Sequence, residues 1–214
     1  MFKNRNDAGA QLAVRLSQYK DREDVLILAL PRGGVVIGYE LAQALNAPLD
    51  VLIVRKIGYP GQEELAIGAI SETGSVVLNQ SIIAVGHPSE GYIKAAIERQ
   101  KHELSRRVQL YRAGKGLPAL AGKIALLVDD GVATGATIKA AIETLKQEKL
   151  ARLVVALPVG PTETVDELRA MVDEVVCLET PLNFMAVGIH YQDFTQVSDQ
   201  EVVDLLKRST AKAA

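Results

Sequence analysis

Asp129 and Asp130 stand at the end of the apolar run KIALLV, and the residues after them, GVATGATI, offer backbone and hydroxyls but little bulk. At the carboxyl end of a parallel strand, such a pair lies where ligands collect in open α/β sheets. Gly131, Ala133, Gly135 and Ala136 let backbone N–H groups close on a ligand, and Thr134 and Thr137 add hydroxyl donors. A helix opening at Ala136 would present unpaired N–H groups and the positive end of its dipole, which favour an anion such as phosphate. The aspartates cannot serve that anion, because like charges repel. They suit hydroxyl donors close by, such as the vicinal pair of a ribose. A sugar 5-phosphate satisfies both halves of the pattern. For Asp-Asp alone, an acidic strand end before an ordinary helix cap is the plainer alternative; the full stretch 126–138 argues against it.

The strand and helix that this reading needs recur along the chain. VLILAL (25–30), DVLIV (50–54), KIALLV (123–128), RLVVAL (152–157) and EVVCL (174–178) are continuously apolar, as strands covered on both faces are. Helical patterns fall at 36–45, 92–112, 136–146 and 164–172, so the alternation predicts a parallel α/β sheet flanked by helices. Residues 8–19 form a further amphipathic helix with Asp7 as N-cap, and SDQEVVDLLK opens with Ser198 and Glu201 at capping-box spacing. Two glycine-bearing stretches between 55 and 79 read as a mobile loop followed by a β-hairpin that turns at 72–74. The charged helix near 89–112 reads as a solvated arm or a subunit contact.

Composition narrows the rest. With 214 residues, 48% of them hydrophobic, the chain can bury one substantial core. Lys+Arg 24 against Asp+Glu 26 leaves a net charge of −2, so nothing global points to nucleic acid, and an anionic ligand needs a local site. The single Cys177, in the apolar setting VVCLE, excludes an internal disulfide and reads as a core thiol of a reduced, cytoplasmic protein. The N-terminus MFKNRNDAGAQ has no apolar signal core, and no run approaches the ~18 apolar residues of a membrane span. No G-x-G-x-x-G follows the first strand, which argues against a dinucleotide-binding fold.

VDDGVATGAT resembles the phosphoribosyl diphosphate (PRPP) motif of the type I phosphoribosyltransferases. LPRGGVVIG, VRKIGYPG and NFMAVGIHYQDF extend the resemblance, over nearly the whole chain, to a group of uncharacterised phosphoribosyltransferases. The resemblance implies the type I fold: a parallel five-strand core, a flexible β-hairpin loop over the site and a small hood, roughly 179–214 with the N-terminal helix, in one domain spanning 1–214. It implies transfer of the phosphoribosyl group from PRPP to a purine or pyrimidine base, with Mg²⁺ as cofactor, in a homodimeric enzyme of nucleotide metabolism. By that likeness Asp129 and Asp130 bind the ribose hydroxyls, meeting the metal only through ribose or water, while 133–137 hold the 5-phosphate. One position departs from part of the family: 6-oxopurine salvage enzymes usually carry an Asp where this chain has Ala133, whereas adenine and uracil enzymes often have Ala.

PRPP also carries a diphosphate whose charge grows as it leaves. The turn ALPRGGVVIG offers Arg32 as a planar cationic fork, with Gly33 and Gly34 allowing close backbone approach, and the resemblance makes this the diphosphate loop, often with a non-proline cis peptide. Arg55 and Lys56, after DVLIV, either meet the diphosphate or form a solvated charge pair. The stretch 58–68 looks like the family's lid, in which Glu63 and Glu64 either steer the base or lie in solvent. In the hood, Phe184 with Val187 resembles the residues that sandwich the base, although Phe184, Tyr191 and Phe194 would serve equally as hood core. His190 reads as structural, and neither His87 nor His102 has partners suggesting a metal site. The alternative function is a PRPP- or nucleotide-sensing regulator that keeps the fold without turnover.

Overall fold

Each of the five apolar runs contributes a strand to one parallel sheet. The computed structural model describes residues 1–210, with the side chains of Glu63, Glu64 and Thr210 outside the description; the readings of Glu63 and Glu64 therefore lie outside the described residues. The sheet is ordered β2 (Leu49–Val51), β1 (Val25–Ala29), β6 (Ile124–Val128), β7 (Arg152–Val159), β8 (Glu174–Glu179), every pair parallel. Alternate residues of one strand point to opposite faces, and each face has its own core. Ile27, Ala29, Leu126 and Val128 belong to one, Leu26, Leu28, Ala125 and Leu127 to the other. That division is why the runs are apolar without a break.

The connections run to β2 on one side of β1 and to β6 on the other. The carboxyl ends of β1 and β6 thus flank the point where strand order reverses, the usual ligand crevice of such sheets. Helix α1 (Arg5–Arg15) packs along α2 (Gly33–Leu45) closely enough that a methyl group on Gly9 would come within 2.7 Å of Glu40 Cβ. Asn4, not Asp7, caps α1, its side chain accepting from the Asp7 N–H at 3.0 Å, while the Asp7 carboxylate accepts from the Lys3 N–H. At the far end of the described chain one half of the expected capping box is present: the Glu201 N–H donates to Ser198 Oγ at 3.1 Å to start α7 (Asp199–Thr210). Cys177 lies partly covered on β8, and burial pushes its thiol up to about 11.

A second sheet departs from the expected plan. The run 50–54 is divided: the chain leaves the main sheet after β2 and starts β3 (Val54–Tyr59), which pairs antiparallel with β4 (Gln62–Ser71) and, through it, β5 (Val76–Leu78). The stretch 58–68, expected as a loop, is therefore mostly strand, turning at Gly61 with φ +74°. The expected hairpin at 72–74 is present, with Gly74 at φ +85°. A short helix α3 (Gln80–Gly86), capped by Asn79, leads to the long α4 (Glu90–Arg112). α5 (Ala136–Leu145) and α6 (Thr162–Arg169) follow β6 and β7.

The departure from the main sheet is held by backbone and buried charge. The Ile53 N–H donates to Glu72 Oε1 at 2.9 Å, and the Glu72 N–H donates to Ile53 O at 3.1 Å. Glu72 pairs with Arg112 at the end of α4, and Arg112 Nε stands 3.6 Å from Asp50 Oδ1. The side chains of Arg112 and Glu72 are 8% and 3% exposed. Removing one member of such a cluster strands the other charges without water. Arg112→Met is expected to cost about 3–5 kcal/mol of unfolding free energy, read by denaturant titration; a loss below about 1 kcal/mol, typical of an exposed ion pair, would contradict a buried clamp here.

Candidate active site

All five residues of β6 are buried, so Asp129 and Asp130 emerge where the apolar stretch ends. The Asp130 N–H donates to Asp129 Oδ1 at 2.9 Å, folding the first carboxylate back over its own turn. Burial and the neighbouring Asp130 charge push the Asp129 carboxyl well above the usual carboxylate range. Burial raises Asp130 too, against the pull of a cation that the sequence reading missed. That cation is Arg5: its Nε donates to Asp130 Oδ2 at 2.7 Å and its Nη1 to Thr195 O at 2.8 Å.

The turn after β1 presses directly on these acids. A Cβ on Gly33 would overlap the Asp130 carboxylate, and one on Gly34 would come within 2.8 Å of Val128 O and 3.0 Å of Asp129 Cα. The two glycines are required by close approach, and the two turns form one surface. The Pro31–Arg32 peptide is cis, and no side chain caps α2, leaving its first-turn N–H groups beside the acids. Arg32 Nη1 lies 3.9 Å from Asp199 Oδ1, and Asp199 accepts from the Tyr111 hydroxyl at 2.6 Å.

The small-residue turn is held from below and left open above. Gly131 has φ +153° and packs under Val187, so an added Cβ would come within 2.5 Å of Val187 Cγ1. The Val132 N–H donates to Val159 O at 2.9 Å, and Thr164 Oγ1 donates to Ala133 O at 2.8 Å. Lys139 reaches back to Thr134 O at 3.3 Å while pairing with Glu167 of α6. Ala133 and Thr134 are exposed, and Gly135, at φ +74°, is the N-cap of α5 with no side chain capping the first turn. Ala136 and Thr137 occupy that turn, whose N–H groups form a ready anion cradle.

The remaining expected residues divide. Arg55 Nε donates to Gln100 Oε1 of α4 at 3.0 Å, so its side chain is turned onto that helix. Burial and the charges of Arg107 and Arg106 hold its guanidinium below its usual range. Lys56 sits opposite Ala69 on the second sheet. After β8, the Tyr191 hydroxyl donates to Asp130 O at 2.5 Å, and its ring packs between Phe2 and Phe194 at 5.3 and 5.0 Å. Tyr191 is thus a brace beneath the acids. Phe184 stacks on His190 at 5.5 Å and 12° and is half-buried, packed against the main core. Among the described residues no group of three His, Cys, Asp or Glu could hold a metal.

The family model for a phosphoribosyl transferase domain matches residues 2–193. The chain belongs to the phosphoribosyl transferase family. The phosphoribosyl transferase fold seen here is shared by the crystal structure of TT1426 from Thermus thermophilus, 42% identical with a TM-score of 0.85 over 97% of this chain and 98% of that one. The AQ2163 protein of Aquifex aeolicus, at 14% identity and a TM-score of 0.52 over 94% and 84% of the two chains, has a similar fold. A Mycobacterium tuberculosis protein provisionally named a phosphoribosyl transferase is 47% identical over 209 residues, 98% of this chain and 47% of its own length. The chain spans about half the length of the curated relatives it matches. No helix among the described residues is long and apolar enough to cross a membrane.

The raised Asp129 carboxyl makes stability depend on pH. The folded chain keeps that proton to higher pH than the unfolded chain, so stability is lost as pH rises from the ordinary carboxylate range through the raised value. Asp129→Asn is expected to melt higher than the parent near neutral pH without ligand, by about 2–4 °C per kcal/mol regained. The gap should close as pH falls below about 4, where the carboxyl is protonated in both states. A variant that melts lower at neutral pH and keeps a constant offset from the parent across that range would refute the assignment.

Proposed function

We propose that the chain transfers the phosphoribosyl group of PRPP to a nitrogenous base, giving a nucleoside 5′-monophosphate and diphosphate. The observation that carries this reading is the contact of the two turns: an acid pair for hydroxyls and a glycine-bearing turn for a diphosphate, meeting at Gly33 and Gly34. The 5-phosphate takes the uncapped first turn of α5, with Thr134 and Thr137 as hydroxyl donors and 133–137 as the cradle. Asp129 and Asp130 accept from the ribose hydroxyls and favour the positive charge that grows on the ring as the bond from C1 to diphosphate breaks. Arg32 and the N–H groups at the start of α2 meet the negative charge on the leaving group. Arg55 and Lys56 belong to the diphosphate side of this scheme, with Arg55 leaving Gln100 to reach it.

Magnesium fits as an ion carried in on substrate oxygens. The described residues offer no three-ligand cage, whereas Mg²⁺ commonly binds through one or two carboxylates, water and substrate phosphates, as Asp129 and Asp130 would allow through ribose or water. When bound it would neutralise diphosphate charge. The base would lie beside Phe184 and Val187, the latter already packed on Gly131. Ala133 supplies no carboxylate at the position where 6-oxopurine enzymes usually have one, which favours an adenine-like or pyrimidine acceptor.

Incubation with PRPP, Mg²⁺ and a panel of bases, followed by measurement of released diphosphate, tests the reading. Release that depends on one base class supports it; PRPP binding without release under any base would support the sensing role instead. Asp130→Asn should lose about 2–4 kcal/mol of transition-state stabilisation, roughly 30- to 1,000-fold in kcat/KM. Turnover equal to the parent's in that variant would remove Asp130 from the reaction.

A further inference from the structure

Arg5 comes from the N-terminal helix, 125 residues away from the acid it binds. It is held from every side that the structure records. Its Nε donates to Asp130 Oδ2 at 2.7 Å, its Nη1 donates to Thr195 O at 2.8 Å, and its guanidinium carbon lies 3.9 Å over the Phe194 ring. The side chain is 10% exposed, against 16% for Asp130. A Cβ on Gly33 would lie 3.0 Å from Arg5 Nε, so the Asp130 carboxylate is enclosed between Arg5 and the turn after β1. The helix carrying Arg5 is itself seated tightly on α2 through Gly9. A side chain fixed by a carbonyl, a ring and a rigid helix is built in, unlike a displaceable plug over the site.

We propose that Arg5 is a positioning residue of the ribose site: its guanidinium fixes the Asp130 carboxylate in the orientation that receives a ribose hydroxyl, and Phe194 and Thr195 fix the guanidinium. The inference rests on the PRPP reading above and deepens it. Two adjacent acids at one turn repel, and a free carboxylate would rotate away from its neighbour. One oxygen of Asp130 is committed to Arg5, which sets the plane of the carboxylate and with it the direction of the other oxygen. Planarity matters, because one guanidinium bonds a carboxylate and a backbone carbonyl at once while lying flat on a ring. An ammonium is a single charged point and cannot make all three contacts. Tyr191, bonded to Asp130 O and packed on Phe194, ties the same ring to the backbone of the same acid.

The test is a double-mutant cycle on PRPP affinity, measured by calorimetry with Mg²⁺ for the parent, Arg5→Met, Asp130→Asn and the double variant. Arg5→Met should weaken PRPP at least tenfold, and the same change in the Asp130→Asn background should weaken it less than twofold, since Arg5 acts through that carboxylate. Arg5→Lys should recover only part of the loss. Independent, multiplying losses would mean that Arg5 merely supports the fold, and tighter binding in Arg5→Met would mean that it blocks the site; either result overturns the proposal. If Arg5→Met does not fold, Arg5→Lys takes its place in the cycle and the same non-additivity decides. A parent protein that fails to bind PRPP sinks the function proposed above and this inference with it, whereas a parent that binds, with additive variants, sinks the inference alone.

Discussion

Two carboxylates on consecutive residues, brought to the rim of a buried sheet, are the costly element of this molecule. They repel each other and lose water, so each has to be held in place by its neighbours. The surrounding structure answers that difficulty at close range. A backbone N–H is folded onto Asp129, a guanidinium onto Asp130, and a tyrosine hydroxyl onto the Asp130 carbonyl. Two glycines then allow the neighbouring turn to approach so closely that the carboxylates face the start of α2. Burying both carboxyls raises them above the usual carboxylate range, so they cost the fold stability at the rim.

The local part of this arrangement was legible in the sequence. A strand that ends in Asp-Asp, a turn of small residues and a helix without a side-chain cap form one contiguous piece, and each step follows from neighbours in the chain. The same holds for PRGG after β1 and for Ser198 before α7. The non-local part was not. Arg5 falls before the helix expected at 8–19, and nothing near it names Asp130 as its partner. Asp7 looked like a better cap than Asn4 by its place before the apolar pattern, but the helix begins a turn earlier, where Asn4 meets the Asp7 N–H.

The second sheet shows a different limit. Gly58, Pro60 and Gly61 read as loop punctuation, and in isolation they are; here they bend a hairpin whose strands are paired through Tyr59↔Gln62 and beyond. The run at 50–54 gave no hint that its last residues would leave the main sheet. That departure depends on Glu72 supplying an acceptor for the Ile53 N–H and a buried charge, with its counterion, Arg112, far along the chain on α4. Apolar patterning records burial, but not which sheet does the burying. Among the aromatic residues after 183, composition could not separate Tyr191, a buried brace, from Phe184, which is only half-buried.

The small-residue turn before α5 is fastened to an element outside its own stretch of sequence. Thr164 on α6 donates to the carbonyl of Ala133, and Lys139 links Thr134 to Glu167, again on α6. The familiar string around the two acids is therefore only half of a device whose other half arrives one strand later. Grafting 126–138 onto a foreign parallel sheet would transplant the acids and the glycines without the scaffold that keeps the turn in shape. A search for such sites by string alone would pass over the α6 side chains that complete them.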